Sequence, residues 1–356
     1  MATVKDVARA AGVSLGTVSN VLNGKASVKP ESREKVYQAI EKLGFQYNMT
    51  ASALRTKATK NIGLIIPTIV NPYYPELARG VEDEVREMGC TLFLCNSDRK
   101  EEKERQYINA LLSRGTDGLI LVKTRLPEQE LVQLKSQTEV VLVDYEGETG
   151  APFSMVNVND TDGIIQGMKH LEEYGHNRIA FISGLVDAYS SRCRMDAYKR
   201  SLRERGIEYR AEYVRFGDYS WHSGYEAAIQ LLALDHPPTA IFAANDIMAM
   251  GVIKAATESG IHVPGELSVV GYDDIEMSNL CSPALTTIHQ PKYQVGLEAV
   301  RMLMQGLGKS EIRDTHGYQS GGEKKCGNGA GIGTRRGGSD MPPVLYIKNE
   351  TIHKCE

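Results

Sequence analysis

From Asn61 onward, short apolar runs alternate with amphipathic stretches. The runs are IGLIIP, TLFLCN, GLILV, VVLVD, RIAFISG, AIFAAND and LSVVGYDD, and helix-like segments such as 76–88, 101–112, 160–174 and 246–259 lie between them. A strand that is apolar throughout must be covered on both faces, and helices between successive strands supply the cover. The pattern predicts parallel sheets in an α/β body. Two such sets in tandem predict two doubly wound subdomains. Ligands of such sheets bind beyond the carboxyl ends of the strands, so the cleft between the subdomains is the expected binding site.

The first 60 residues follow a different rule. Val4, Val7, Ala8 and Ala11 fall at helical spacing, with Thr3 and Asp6 placed as a capping box. Gly12 breaks this helix and Ser14 caps the next, in which Val18, Val21 and Leu22 turn inward. Leu15, Gly16, Thr17, Ser19, Asn20 and Asn23 are left for the outer faces. In a third helix Pro30 suits the first turn, Val36, Ile40 and Leu43 form the apolar face, and Gly44 ends it. Two short helices joined this closely make a helix-turn-helix, the second helix of which enters the DNA major groove. Charge agrees. Residues 1–60 hold ten Lys/Arg against four Asp/Glu, about +6, so with a net charge of -4 the body carries about -10. A basic head on an acidic body suits an anionic partner for the head; the plainer reading is a solvated charged face.

Other classes lose ground. No run of about 18 apolar residues indicates a membrane span, and no secretory layout opens the chain, so a cytoplasmic protein is expected. Cys90, Cys95, Cys193, Cys281, Cys326 and Cys355 form no CxxC pair and no zinc spacing, and most of them read as reduced, structural thiols. There is no GxSxG, P-loop or metal-binding motif, so neither an enzyme nor a cofactor is expected.

The stretches TVKDVARAAGVSLGTVSNVLNG, VKPESREKVYQAIEKLGFQYN and ASALRTKAT closely resemble the head of LacI/GalR-family transcriptional regulators. The resemblance extends over residues 2–314. It implies a helix-turn-helix domain at 1–47, a hinge helix and linker at 48–60, and an effector-binding and dimerisation body at 61–314. That body resembles periplasmic sugar-binding proteins, with one subdomain at 62–157 plus 290–314 and the other at 158–289.

The resemblance implies that Leu15 and Gly16 read operator bases. Gly16 has no side chain, which leaves readout to Leu15, Thr17 and Asn20; Leu15 suits a thymine methyl group. The alternative for Leu15 is packing. Ser14, Thr17, Ser19 and Asn23 are placed to hold phosphates. Leu54 matches a leucine wedged into the minor groove, the alternative being a flexible linker. Thr3, Tyr47, Asn48 and Arg55 complete the DNA-contact candidates.

The effector candidates are Asn71, Tyr73, Tyr74, Asp144, Arg194, Tyr219, Asn245 and Asp273. Aromatic faces, amides, carboxylates and a guanidinium suit a sugar or sugar phosphate. Tyr74 also fits a subunit interface, Arg194 an internal salt bridge, and Asp246 a helix cap. Lys, Arg and His look too sparse here to settle whether a phosphate binds.

The expected function is a DNA-binding repressor, homodimeric on a near-palindromic operator and controlled by a small carbohydrate-like effector. The alternatives are a carbon-catabolite regulator with a phosphorylated carrier protein as corepressor, a sugar sensor with a vestigial head, and an enzyme on the same scaffold. The tail at 315–356 departs from the family, is rich in Gly and Lys/Arg, and is expected to be disordered. So abrupt a loss of pattern inside an expected core strand points to a shifted reading frame near Thr315. No leucine heptads follow, which favours a dimer over a tetramer.

Overall fold

The computed structural model describes residues 2–22, 27–45, 59–147, 152–308, 332–335, 344–348 and 352–353. The chain divides into two compact units, Met1–Thr59 and Lys60–Glu356.

The first unit holds helices α1 (Val4–Ala11), α2 (Leu15–Leu22) and α3 (Pro30–Leu43). Thr3 and Asp6 close the capping box reciprocally: Asp6 N–H donates to Thr3 Oγ1 at 3.3 Å, and Thr3 N–H donates to Asp6 Oδ2 at 2.9 Å. Val7, Ala8, Ala11, Val18, Val21, Val36, Ala39 and Phe45 form the core. Two expectations need correction. Val4 is half-buried at the rim, and Leu43 is 36% exposed. Gly44, at φ +55°, reverses the chain in a Schellman turn, so that Phe45 N–H reaches Ile40 O at 3.0 Å and the Phe45 ring takes the buried place.

In the second unit, β1 (Asn61–Ile66), β2 (Thr91–Asn96), β3 (Gly118–Val122), β4 (Glu139–Val143) and β5 (Ser154–Asn159) belong to one sheet. They alternate with α4 (Tyr73–Glu87), α5 (Glu101–Ser113) and α6 (Glu128–Lys135). A second sheet holds β6 (Ile179–Ser183), β7 (Val214–Phe216), β8 (Ala240–Ala243), β9 (Ser268–Asp273) and β10 (Thr286–His289). Its helices are α7 (Asp160–Glu173), α8 (Tyr189–Glu204), α9 (Trp221–Leu232), α10 (Asp246–Glu258) and α11 (Met277–Leu280). All pairings among β1–β10 are parallel. The sheet order β5-β4-β3-β1-β2 is that of a doubly wound sheet. Not every strand is covered on both faces: β2 is an edge, and Leu94 on it is exposed.

After β10 the chain returns to the first sheet as α12 (Lys292–Gly306), which buries Val295, Ala299, Val300 and Leu303 with β1, β3 and β4. Close approach to α4 needs glycine on both sides. A Cβ at Gly80 would lie 2.1 Å from Tyr293 O, and one at Gly296 would lie 2.3 Å from Leu77 O.

Of the tail, expected to be disordered, the described residues take strand form. β11 (Ile332–Arg335) and β12 (Val344–Lys348) extend the first sheet, and β13 (Ile352–His353) extends the second. β12 runs parallel to β5 from Val344↔Met155 to Lys348↔Asn159. The β-branched and aromatic run VLYI suits a strand, and β5 otherwise presents an open edge. Among the described residues, no helix is long and apolar enough to cross a membrane, no three His, Cys, Asp or Glu side chains cluster as metal ligands, and Cys90, Cys95, Cys193 and Cys281 form no disulfide.

Candidate functional site

In the head, Ser14 Oγ accepts the Thr17 N–H at 3.1 Å and lies 2.9 Å from Thr17 Oγ1, which starts α2 and fixes both hydroxyls. The first turn of α2 faces outward. Ser14, Leu15 and Gly16 are exposed, while Thr17, Ser19 and Asn20 are half-buried. Leu15 is 47% exposed, which rules against packing as its reason to be leucine. A Cβ on Gly16 would meet only Ser14 Oγ, at 3.7 Å, so packing does not require glycine there either. Thr3 is engaged in its capping box. Asn23, Tyr47, Asn48, Leu54 and Arg55 lie outside the described residues.

In the body, a cavity of about 150 Å³ opens between the two sheets at the carboxyl ends of their strands. Pro67 follows β1, Lys123 to Arg125 follow β3, Asp144 to Glu146 follow β4, and Tyr219 follows β7. Lys123 Nζ pairs with Asp144 at 2.5 Å and donates to Ser190 Oγ at 2.9 Å. Burial works most strongly against the Lys123 charge, but Asp144, Tyr74 and Tyr219 together outweigh it and hold the ammonium protonated well above the usual lysine range. Two ion pairs bridge the loops of the two sheets: Arg125 with Asp187, and Arg192 Nη2 with Glu146 Oε2 at 2.6 Å. Lys123, Asp144 and Tyr219 all have left-handed backbones, at φ +50°, +54° and +71°. Such strain in non-glycine residues concentrates at functional sites.

Of the eight effector candidates, the structure brings Tyr74, Asp144 and Tyr219 together around this cavity. Tyr74 therefore belongs to the cleft wall. Tyr73 packs edge-on against it, with ring centroids 5.1 Å apart, in the core behind. Asn71 Oδ1 accepts the Tyr73 N–H at 3.0 Å and shapes the start of α4.

Arg194 is 3% exposed and does not line the cavity. Its Nε and Nη2 hold Asp160 Oδ1 at 2.9 and 2.8 Å, its Nη1 donates to Ala244 O, and its guanidinium lies 3.8 Å over the Tyr272 ring. The internal salt bridge is the form the structure takes. Asn245 is the cap of α10, accepting the Met248 N–H at 2.9 Å and donating to Tyr219 O at 3.1 Å. That corrects the assignment of Asp246 as cap, since its carboxylate instead accepts the Ile275 N–H at 2.8 Å and the Thr287 hydroxyl.

Asp273 is buried behind the cleft, where Gln290 Nε2 donates to its Oδ1 at 2.7 Å. Burial pushes its carboxyl up to about 6, against the pull of Arg194, Lys292 and Lys123. A raised carboxyl pKa favours the fold below the unfolded value near 4, and that contribution is lost as pH rises through about 6. Asp273→Asn is therefore expected to gain stability relative to the parent as pH rises from 4 to 7. Urea unfolding of both proteins across that range checks it.

Arg99, Lys123, Arg125, Glu146, Asp187 and Arg192 also line the cavity, and sequence reasoning missed them. Four cations at the cleft correct the impression that basic residues are sparse. One signal was present: Lys123 and Arg125 directly follow the uninterrupted apolar run GLILV.

The description "Bacterial regulatory proteins, lacI family" matches residues 3–48, and "Periplasmic binding protein-like domain" matches 168–319. Catabolite control protein A of Priestia megaterium is 38% identical over 311 residues, covering 87% of this chain and 94% of that protein. The HTH-type transcriptional repressor PurR of Aliivibrio salmonicida is 35% identical over 317 residues, covering 89% and 94%. Among solved structures, the Lac repressor dimer bound to operator and the anti-inducer ONPF superimposes with a TM-score of 0.76 at 30% identity, covering 87% of this chain and 94% of that one. A regulator from Enterococcus faecium with bound ribose gives 0.65 at 25% identity, covering 82% and 97%. With its helix-turn-helix head, two parallel sheets and relatives matched along nearly their whole length, the chain belongs to the LacI family of bacterial transcriptional regulators.

Proposed function

We propose that the chain is a repressor that binds a near-palindromic operator as a homodimer, and that a small carbohydrate-like effector in the cleft controls it. The observation that carries the reading is Leu15: a large apolar side chain, 47% exposed, on the first turn of the second helix of a helix-turn-helix. Such a turn meets base edges in the major groove, and a leucine there suits a thymine methyl. Leu54 is assigned the minor-groove wedge, and Asn20 and Thr17 the polar base contacts. The solved relatives support the effector, since one holds ribose and another, CelR, holds cellobiose. Control by an effector requires that it bind one conformation of the body more tightly than the other. The bridging pairs Arg125–Asp187 and Arg192–Glu146 are contacts that a change in cleft opening would make or break.

Leu15→Asp separates folding from reading. Aspartate on the first turn complements the helix dipole, so the head is expected to be as stable or more so. A carboxylate facing phosphates is expected to weaken duplex binding by at least about a hundredfold. Thermal unfolding and fluorescence anisotropy on the full chain measure the two effects. Unchanged DNA binding by a folded variant would remove α2 from the interface. The likeness to catabolite control protein A favours a second reading, in which a phosphorylated carrier protein acts as corepressor.

A further inference from the structure

The charges around the cleft do not balance. Arg99, Lys123, Arg125 and Arg192 face Asp144, Glu146 and Asp187. Each acid is already matched: Asp144 to Lys123, Asp187 to Arg125, and Glu146 to Arg192. Among the described residues, Arg99 has no carboxylate partner. Its neighbour in sequence, Asp98, is committed elsewhere, accepting from Lys103 Nζ at 2.6 Å and Asn96 Nδ2 at 2.6 Å.

Arg99 is nonetheless held in place. It follows β2 in a turn where Asp98 and Arg99 both have left-handed backbones, at φ +53° and +57°. Its guanidinium lies 5.6 Å from the centroid of the Tyr219 ring, and Lys123 Nζ lies 5.3 Å from the same centroid. A cation over an aromatic face is stabilised by the ring quadrupole, which leaves the guanidinium's donor edge available. The same contacts occupy the ring that a neutral sugar would use for stacking. Tyr219 is fixed further by its hydroxyl, 2.6 Å from Ser191 Oγ. A half-buried, unmatched guanidinium beside an ammonium, in a cavity otherwise neutral by pairs, suits an oxyanion.

We infer that the effector is an anionic carbohydrate, carrying a phosphate or a carboxylate, and that Arg99 is the residue that anchors the anion. This deepens the effector reading above and rests on it. A planar guanidinium meets either group with two parallel hydrogen bonds, so both sources share one chemistry. Sugar hydroxyls would then meet Asp144 and the remaining rim, and the anion would supply the charge that Arg99 lacks.

The test is calorimetric titration of the full-length chain with ribose, glucose, ribose 5-phosphate, glucose 6-phosphate and glucuronate. An anionic member is expected to bind at least about tenfold tighter than its neutral parent, a margin typical of one charge-assisted contact. Arg99→Asn removes the cation and tolerates the left-handed backbone. It is expected to erase the margin between the anionic member and its neutral parent, while Arg99→Lys keeps part of it. A margin confined to the phosphate esters assigns the anion as phosphate, and one confined to glucuronate assigns a carboxylate; both support the inference. Equal or tighter binding of the neutral parent, a margin that survives Arg99→Asn, or no binding by any of the five compounds overturns it. Duplex binding measured on the same preparation, without sugar, judges the DNA-binding reading separately.

Discussion

Arg194→Met is expected to destabilise the body by about 3–5 kcal/mol, the usual cost of stranding one partner of a buried ion pair. Asp160 and Arg194 are both almost wholly buried, and the guanidinium is held by a carboxylate, a backbone carbonyl and an aromatic face at once. Methionine keeps an unbranched apolar stem but leaves the Asp160 charge without its paired counterion. Burial already pushes the Asp160 carboxyl up against the pull of Arg194. Without the arginine it takes up a proton more readily, so the variant's deficit should shrink as pH falls from 7 toward 5. Replacing Asp160 with asparagine in the same chain should recover part of the loss. Urea unfolding at the two pH values measures both effects. A loss below about 1 kcal/mol, together with collapse of effector affinity, would mean that Arg194 serves the ligand rather than the fold.

Operator affinity is expected to fall about a thousandfold between 50 and 200 mM salt. Each head carries ten Lys/Arg against four Asp/Glu in residues 1–60, and a dimer presents two heads. Neutralising six or more phosphates releases enough condensed counterions to give that slope. The acidic body, at about -10, cannot supply the contacts. Anisotropy titrations on one duplex at several salt concentrations give the slope. A flat dependence would mean that the basic head is only a solvated face.

How far the sequence reached differs between the two units. In the head, helical spacing and capping chemistry placed all three helices, because each boundary rests on a local device: the Thr3–Asp6 box, Gly12, Ser14, Pro30 and Gly44. The misses were Val4, which lies at the rim, and Leu43, since only the reversal at Gly44 brings Phe45 back under α3. In the body, apolar runs marked seven strands. β5, β7 and β10 went unread because SMVNVN ends in asparagines, VRF is three residues long, and TTIH is half threonine. β12 and β13 escaped because their pairing partners, β5 and β10, are distant in sequence.

The cleft was half legible. Tyr74, Asp144 and Tyr219 lie at strand ends or just beyond, where ligands of parallel sheets bind. Arg99, Lys123, Arg125 and Arg192 were not read, because a loop cation looks solvated until two sheets bring the loops together. Arg194, Asn245 and Asp273 show the converse. Their positions were picked out from strand ends and family likeness, but neither discloses that Asp160, the Met248 N–H and Gln290 already hold them.

The most direct test of the central claim, a dimeric DNA reader, is selection of bound duplexes from a random pool by the full-length chain at moderate salt. The account predicts enrichment of a two-fold symmetric site with a flexible central pyrimidine–purine step such as CpG, where the Leu54 wedge would unstack the pair. Enrichment of an asymmetric single site, or of no sequence with or without the sugars above, would contradict it.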